Sequence, residues 1–99
     1  MPKRTDSNHT QIVGVFRKMG CSVRSLAGVG KGVPDLIVGL YSSFLGAKIN
    51  LLVEVKDGSK VRSKKKLTEA EAEFFESWRG QVCIVESVED AINLISKYR

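Results

Sequence analysis

The chain is poor in cysteine: Cys21 and Cys83 are the only two in 99 residues. A disulfide framework needs more of them at tighter spacing, so both read as buried, reduced thiols of a cytosolic or nuclear protein. A single histidine, His9, excludes a His-rich zinc site. Two prolines and nine glycines are too few for a low-complexity chain. No apolar run approaches the ~20 residues that span a bilayer, so no membrane partner is expected. The opening MPKRTDSNHTQ has basic residues but lacks the apolar segment of a secretory leader.

What is present is ordinary globular composition, 42% hydrophobic and 27% charged, at a length that makes one domain, residues 1–99. The charge balance is less ordinary. Sixteen basic residues against eleven acidic ones give a net charge of +5, which points to a polyanionic partner such as nucleic acid.

Periodicity predicts the order helix, three strands, helix, strand, helix. Residues 7–19 read as a helix, capped by Asp6 or Ser7 and stopped by Gly20, with Ile12, Val13, Phe16 and Met19 at helical spacing. Residues 21–26 alternate as a short strand. Ala27 to Gly32, with glycine at every second position, reads as a flexible loop. Two strong strands follow at 35–40 and 50–56, joined by a hairpin connection around Gly46. Thr68 and Glu71 form an S/T-x-x-E capping box for a helix to Arg79, with Phe74, Phe75 and Trp78 expected on its core side. A strand at 81–85 and a helix capped by Ser87, with Val88, Ala91, Ile92 and Ile95 as its apolar stripe, complete the chain. This is an α/β fold with a mixed sheet; the last strand is reached by a crossover and can lie parallel to 50–56.

Glu54 and Lys56 interrupt an otherwise apolar strand. Side chains two apart share a face, so a carboxylate and an ammonium stand side by side while Val53 and Val55 face the core. Charges on a core strand are costly unless they are paired, solvated or bound to a metal. If strands 35–40 and 50–56 pair as a hairpin, Asp35 joins them. Two carboxylates and a backbone carbonyl suit a hard cation, Mg²⁺ or Mn²⁺. A neighbouring lysine would stabilise charge on a phosphate or orient the attacking water. Lys60, Arg62, Lys64, Lys65 and Lys66 directly follow this strand, where they can hold a nucleic-acid backbone. Lys31 in the glycine loop and Arg24 on the strand before it are further candidates for contact with DNA.

The run Val33-Pro34-Asp35-Leu36-Ile37-Val38-Gly39, followed by Glu54-Val55-Lys56, resembles the PD-(D/E)XK nuclease signature. More narrowly, the chain is similar to the stand-alone virus-type replication-repair nuclease domain, VRR-NUC. The resemblance implies a restriction-endonuclease-like core of order α-β-β-β-α-β-α. It implies Asp35 and Glu54 as metal-binding acids, the main-chain carbonyl of Val55 as a further ligand, and Lys56 as the catalytic lysine. Gln11 stands where relatives often place an acid in the first helix. Glu71 stands where they often carry glutamine. The implied reaction is hydrolysis of DNA that leaves a 5′-phosphate.

One chain supplies one site. Cutting two strands needs two, which a chain this short obtains most simply as a C2 homodimer. Stand-alone relatives look like dimeric junction-cleaving enzymes, so branched DNA, such as a Holliday junction, is the expected substrate. The rivals are a general DNA nuclease on the same fold and a DNA-binding subunit without catalysis, the latter kept open by the neutral Gln11.

Overall fold

The computed structural model describes residues 8–57 and 67–99. Its elements follow the expected order: α1 (His9–Lys18), β1 (Ser22–Ser25), β2 (Leu36–Ser42), β3 (Ala47–Val55), α2 (Glu69–Ser77), β4 (Val82–Val85) and α3 (Val88–Tyr98). The strands form one sheet in the order β1-β2-β3-β4. The first three make an antiparallel meander, and β4 returns parallel to β3 after α2. No helix among the described residues is long and apolar enough to cross a membrane.

One face of the sheet forms the core. Leu36, Val38 and Leu40 of β2 and Leu51, Val53 and Val55 of β3 alternate onto it, meeting Ile12 and Phe16 of α1 and Ala91 and Ile95 of α3. The β2–β3 hairpin turns at residues 43–46. Gly46 there has a positive φ of 68°, and its amide donates to the Ser42 carbonyl at 2.7 Å. Ser42 is fully buried, and its hydroxyl donates to the Tyr98 carbonyl, which ties the hairpin to the end of α3.

Several details differ from the sequence reading. Asn8 is the N-cap of α1 without a capping side-chain bond; the expected caps, Asp6 and Ser7, lie outside the described residues. The Asn8 side-chain amide instead donates to the carbonyls of Lys56 (3.2 Å) and Glu86 (2.8 Å), joining the helix start to the ends of β3 and β4. The buried stripe of α3 is also rotated. Ala91 and Ile95 are buried and Leu94 and Tyr98 pack beside them, whereas Ile92 is exposed. Both sets fit a helical period, and packing in the core with Ile12 and Phe16 of α1 selects between them.

The aromatic stripe of α2 is not core. That helix has no fully buried residue, and Trp78, at its C-cap, is 51% exposed. Trp78 stacks on Phe74 at a ring separation of 5.1 Å instead. The reason is topological: α1 and α3 occupy the core face, so α2 lies over the other. Cys21 is buried, Cys83 is half-buried, and both are free thiols.

Candidate active site

The site grows from the register of β2 and β3. Leu36 pairs with Val53, so the next step along the antiparallel ladder sets Asp35 opposite Glu54. Opposed residues share a face. Pro34 is fully buried and fixes the entry to β2, and Asp35 is held at two points. Its carbonyl accepts from the Leu26 amide at 2.7 Å, and its Oδ2 accepts from the Val55 amide at 2.9 Å. Asp35, Glu54 and Lys56 therefore stand together on the face turned away from the hydrophobic core.

Glu71 completes the group from above. Thr68 caps α2 by accepting from the Glu71 amide at 3.2 Å, and Glu71 Oε1 accepts from the Thr68 amide at 2.9 Å. The same Oε1 takes a hydrogen bond from Lys56 Nζ at 2.9 Å, while Lys56 stands 3.4 Å from Glu54 Oε2. One carboxylate thus closes a helix and holds the lysine. The capping box that accounts for Glu71 in sequence also fixes its approach to the site.

Two carboxyl groups flank Lys56 and a third, Asp35, acts on Glu54, which leaves an excess of negative charge. Glu54 is 3% exposed. Burial, the charges of Asp35 and Glu71 and a hydrogen bond with Glu71 push its pKa up to about 8, against the pull of Lys56. Burial also works against the Lys56 ammonium, but the bond to Glu71 and the charges of Glu54 and Glu71 prevail and raise its pKa. Burial disfavours the Glu71 carboxylate too; its bonds from Thr68, Lys56 and Glu54 outweigh this and lower its pKa.

This donor set suits a hard divalent cation. Among the described residues no three Asp, Glu, His or Cys side chains converge as a ready cage. Mg²⁺ and Mn²⁺ need none, because one or two carboxylates with waters and substrate phosphate complete their shells. Asp35 and Glu54 supply two carboxylates from neighbouring strands, and a proton retained to about pH 8 marks where positive charge is short.

The other candidate residues fall in different places. Arg24 is exposed on β1 opposite Ile37, on the same sheet face as the acids. Lys31 is exposed in the glycine loop with a left-handed φ of 59°. Lys60, Arg62, Lys64, Lys65 and Lys66 lie outside the described residues. Gln11 lines a hollow of about 520 Å³ with Asn8, Asp57, Glu86 and Asp90. The loop expected to be flexible is a pair of tight turns, with Val29 bonded back to Leu26 and Val33 to Gly30.

A solved structure of a VRR_NUC domain shares this architecture. It superposes with a TM-score of 0.64 over 95% of this chain and 100% of its own, at 25% sequence identity. The chain folds as a VRR-NUC domain. No protein-family model and no curated protein matches the sequence. The VRR-NUC assignment therefore stands on the fold together with the Pro34-Asp35 and Glu54-Val55-Lys56 segments, which this fold brings to one place.

Proposed function

We propose that this VRR-NUC domain is a Mg²⁺- or Mn²⁺-dependent endonuclease that hydrolyses DNA phosphodiesters. One observation carries the reading: Asp35, at the entry to β2, lies near enough to Glu54 of β3 for its charge to raise that group's pKa, beside a lysine that is bonded to a third acid, Glu71. The likeness to a solved VRR_NUC domain supports it.

Asp35 and Glu54, with the carbonyl of Val55, would hold the cation. A divalent ion supplies positive charge to the scissile phosphate and makes a nearby water a stronger nucleophile. The remaining roles belong to the chain. The Val55 amide fixes the Asp35 carboxylate, so that group does not have to reorganise when it binds. Lys56 faces the phosphate as a cation and orients the attacking water. Glu71 keeps Lys56 charged and aims its ammonium. The 3′ oxygen leaves, giving a 5′-phosphate end.

Arg24, Lys31 and the Lys60, Arg62, Lys64, Lys65 and Lys66 cluster hold DNA through its phosphates, which favours shape over base sequence. With one site per chain, a C2 homodimer supplies the two cuts that resolve a branched substrate such as a Holliday junction. Residues 1–99 would act as one nuclease domain in the cytoplasm.

The test offers a four-way junction, a fork and a linear duplex to the protein with Mg²⁺, with Mn²⁺ and with EDTA. Cation-dependent cutting that prefers the junction is expected, with a dimer in sedimentation. Binding without cutting under every cation would replace this reading with a DNA-binding module, the role that the neutral Gln11 favours.

A further inference from the structure

The segment before Asp35 has an unusual backbone. Gly30, Lys31 and Gly32 follow one another with φ values of 74°, 59° and 83°. Left-handed residues normally occur singly, and a lysine there is strained. This turn carries Gly32 against the first turn of α2. A Cβ on Gly32 would lie 2.5 Å from the Ala70 carbonyl carbon and 3.0 Å from the Glu71 amide nitrogen, and closer still to the Ala70 oxygen. Gly30, in the same turn, has nothing within 4 Å of where its Cβ would be.

We propose that Gly32 is a positioning residue: its bare Cα seats α2 against the glycine loop and so sets the distance from Glu71 to Lys56. This inference rests on the nuclease reading. The loop is anchored to the site at its other end, where Leu26 bonds to Asp35. None of the helix residues is fully buried, so a backbone contact at its first turn has weight in locating it. Glu71 Oε1 is shared between the Thr68 amide and Lys56 Nζ, so Glu71 moves with the helix end. A methyl group on Gly32 pushes that end outward and lengthens the 2.9 Å bond to Lys56. Lys56 then turns to Glu54, its other partner at 3.4 Å, and competes with the cation for that carboxyl group.

Gly30→Ala and Gly32→Ala separate this effect from backbone strain. Both place a side chain at positive φ, but only the second meets α2. For Gly32→Ala, we expect kcat on a four-way junction to fall about tenfold to a hundredfold with KM nearly unchanged. Amides 69–77 should also exchange faster in the cation-free protein. Gly30→Ala should keep both near wild type. Gly32→Ala combined with Glu71→Ala should be no slower than Glu71→Ala alone, because both act through the same contact. Thr68→Ala, which loosens the same helix turn from its exposed side, should give a kcat-specific loss even if Gly32→Ala does not fold.

Equal exchange and equal kcat in the two glycine variants would overturn the proposal, as would additive losses in the double variant or an unchanged kcat in Thr68→Ala. If the wild type cuts no DNA with any cation, the nuclease reading falls. The exchange comparison then decides alone whether Gly32 seats the helix.

Discussion

β3 presents two surfaces that cost the chain very different amounts. On one, Leu51, Val53 and Val55 are 0%, 0% and 2% exposed among apolar neighbours. On the other, Glu54 is 3% exposed, nearly as inaccessible as Val55 one residue along. The valines gain by leaving water. Glu54 loses, and it retains its proton to about pH 8 as a result. That loss on one face, set against the gain on the other, is what the proposed nuclease site asks of this strand.

The sharpest way to break this contrast is to remove the charged face. Asp35→Ala, Glu54→Ala or Lys56→Ala should each lower kcat on junction DNA by on the order of 10³-fold, with binding to DNA largely retained. Gel-shift and cleavage assays on the same samples check this. Loss of binding in parallel with cutting would return these residues to a structural role.

The core face should respond in the opposite sense. Leu51→Ala should cost about 2–5 kcal/mol of stability, read by thermal denaturation. A loss below about 1 kcal/mol would show that α1 and α3 do not pack on this face as described.

Glu54 also predicts a pH dependence. Its folded pKa is about 8 against an ordinary 4.5, so the native state holds a proton that the unfolded chain gives up across that interval. Stability of the cation-free protein should therefore fall as pH rises from about 4.5 to 8 and level off above. The fall is on the order of 5 kcal/mol at ~1.4 kcal/mol per pH unit. Glu54→Gln should flatten the profile and leave the protein more stable than wild type at pH 9. A wild-type profile that rises across this window would contradict the burial of Glu54.

The smallest effect concerns the loop. Lys31→Gly relieves a left-handed lysine and should stabilise the fold by about 0.5–1 kcal/mol. If Lys31 touches phosphate, the same change should weaken DNA binding and flatten its salt dependence. An unchanged salt slope would remove Lys31 from the interface.

What could be read in the sequence follows from these physical differences. The opposition of Asp35 and Glu54 needed only two strong strands and a hairpin between them, because alternation in a strand fixes which side chains meet. The side on which α2 lies was not legible. Phe74, Phe75 and Trp78 satisfy a helical stripe equally well in a core or half-covered on an outer face. Ile92 was misplaced for a similar reason, since a helix can rotate without changing its period. The Gly32 contact and the Asn8 tie involve backbone groups distant in sequence, which no local pattern reveals. The only trace of the first was the density of glycine before Pro34, and of the second, an asparagine at a helix start.

Mn²⁺ binding by isothermal titration at pH 7, with the protein alone, tests the shared grip of Asp35 and Glu54 most directly. Wild type should take up at least one ion per chain and release protons as Glu54 ionises. Asp35→Asn and Glu54→Gln should each lose most of that affinity, and Glu54→Gln the proton release as well. Equal affinity in wild type and both variants would mean that the two carboxylates, though face to face, hold no ion.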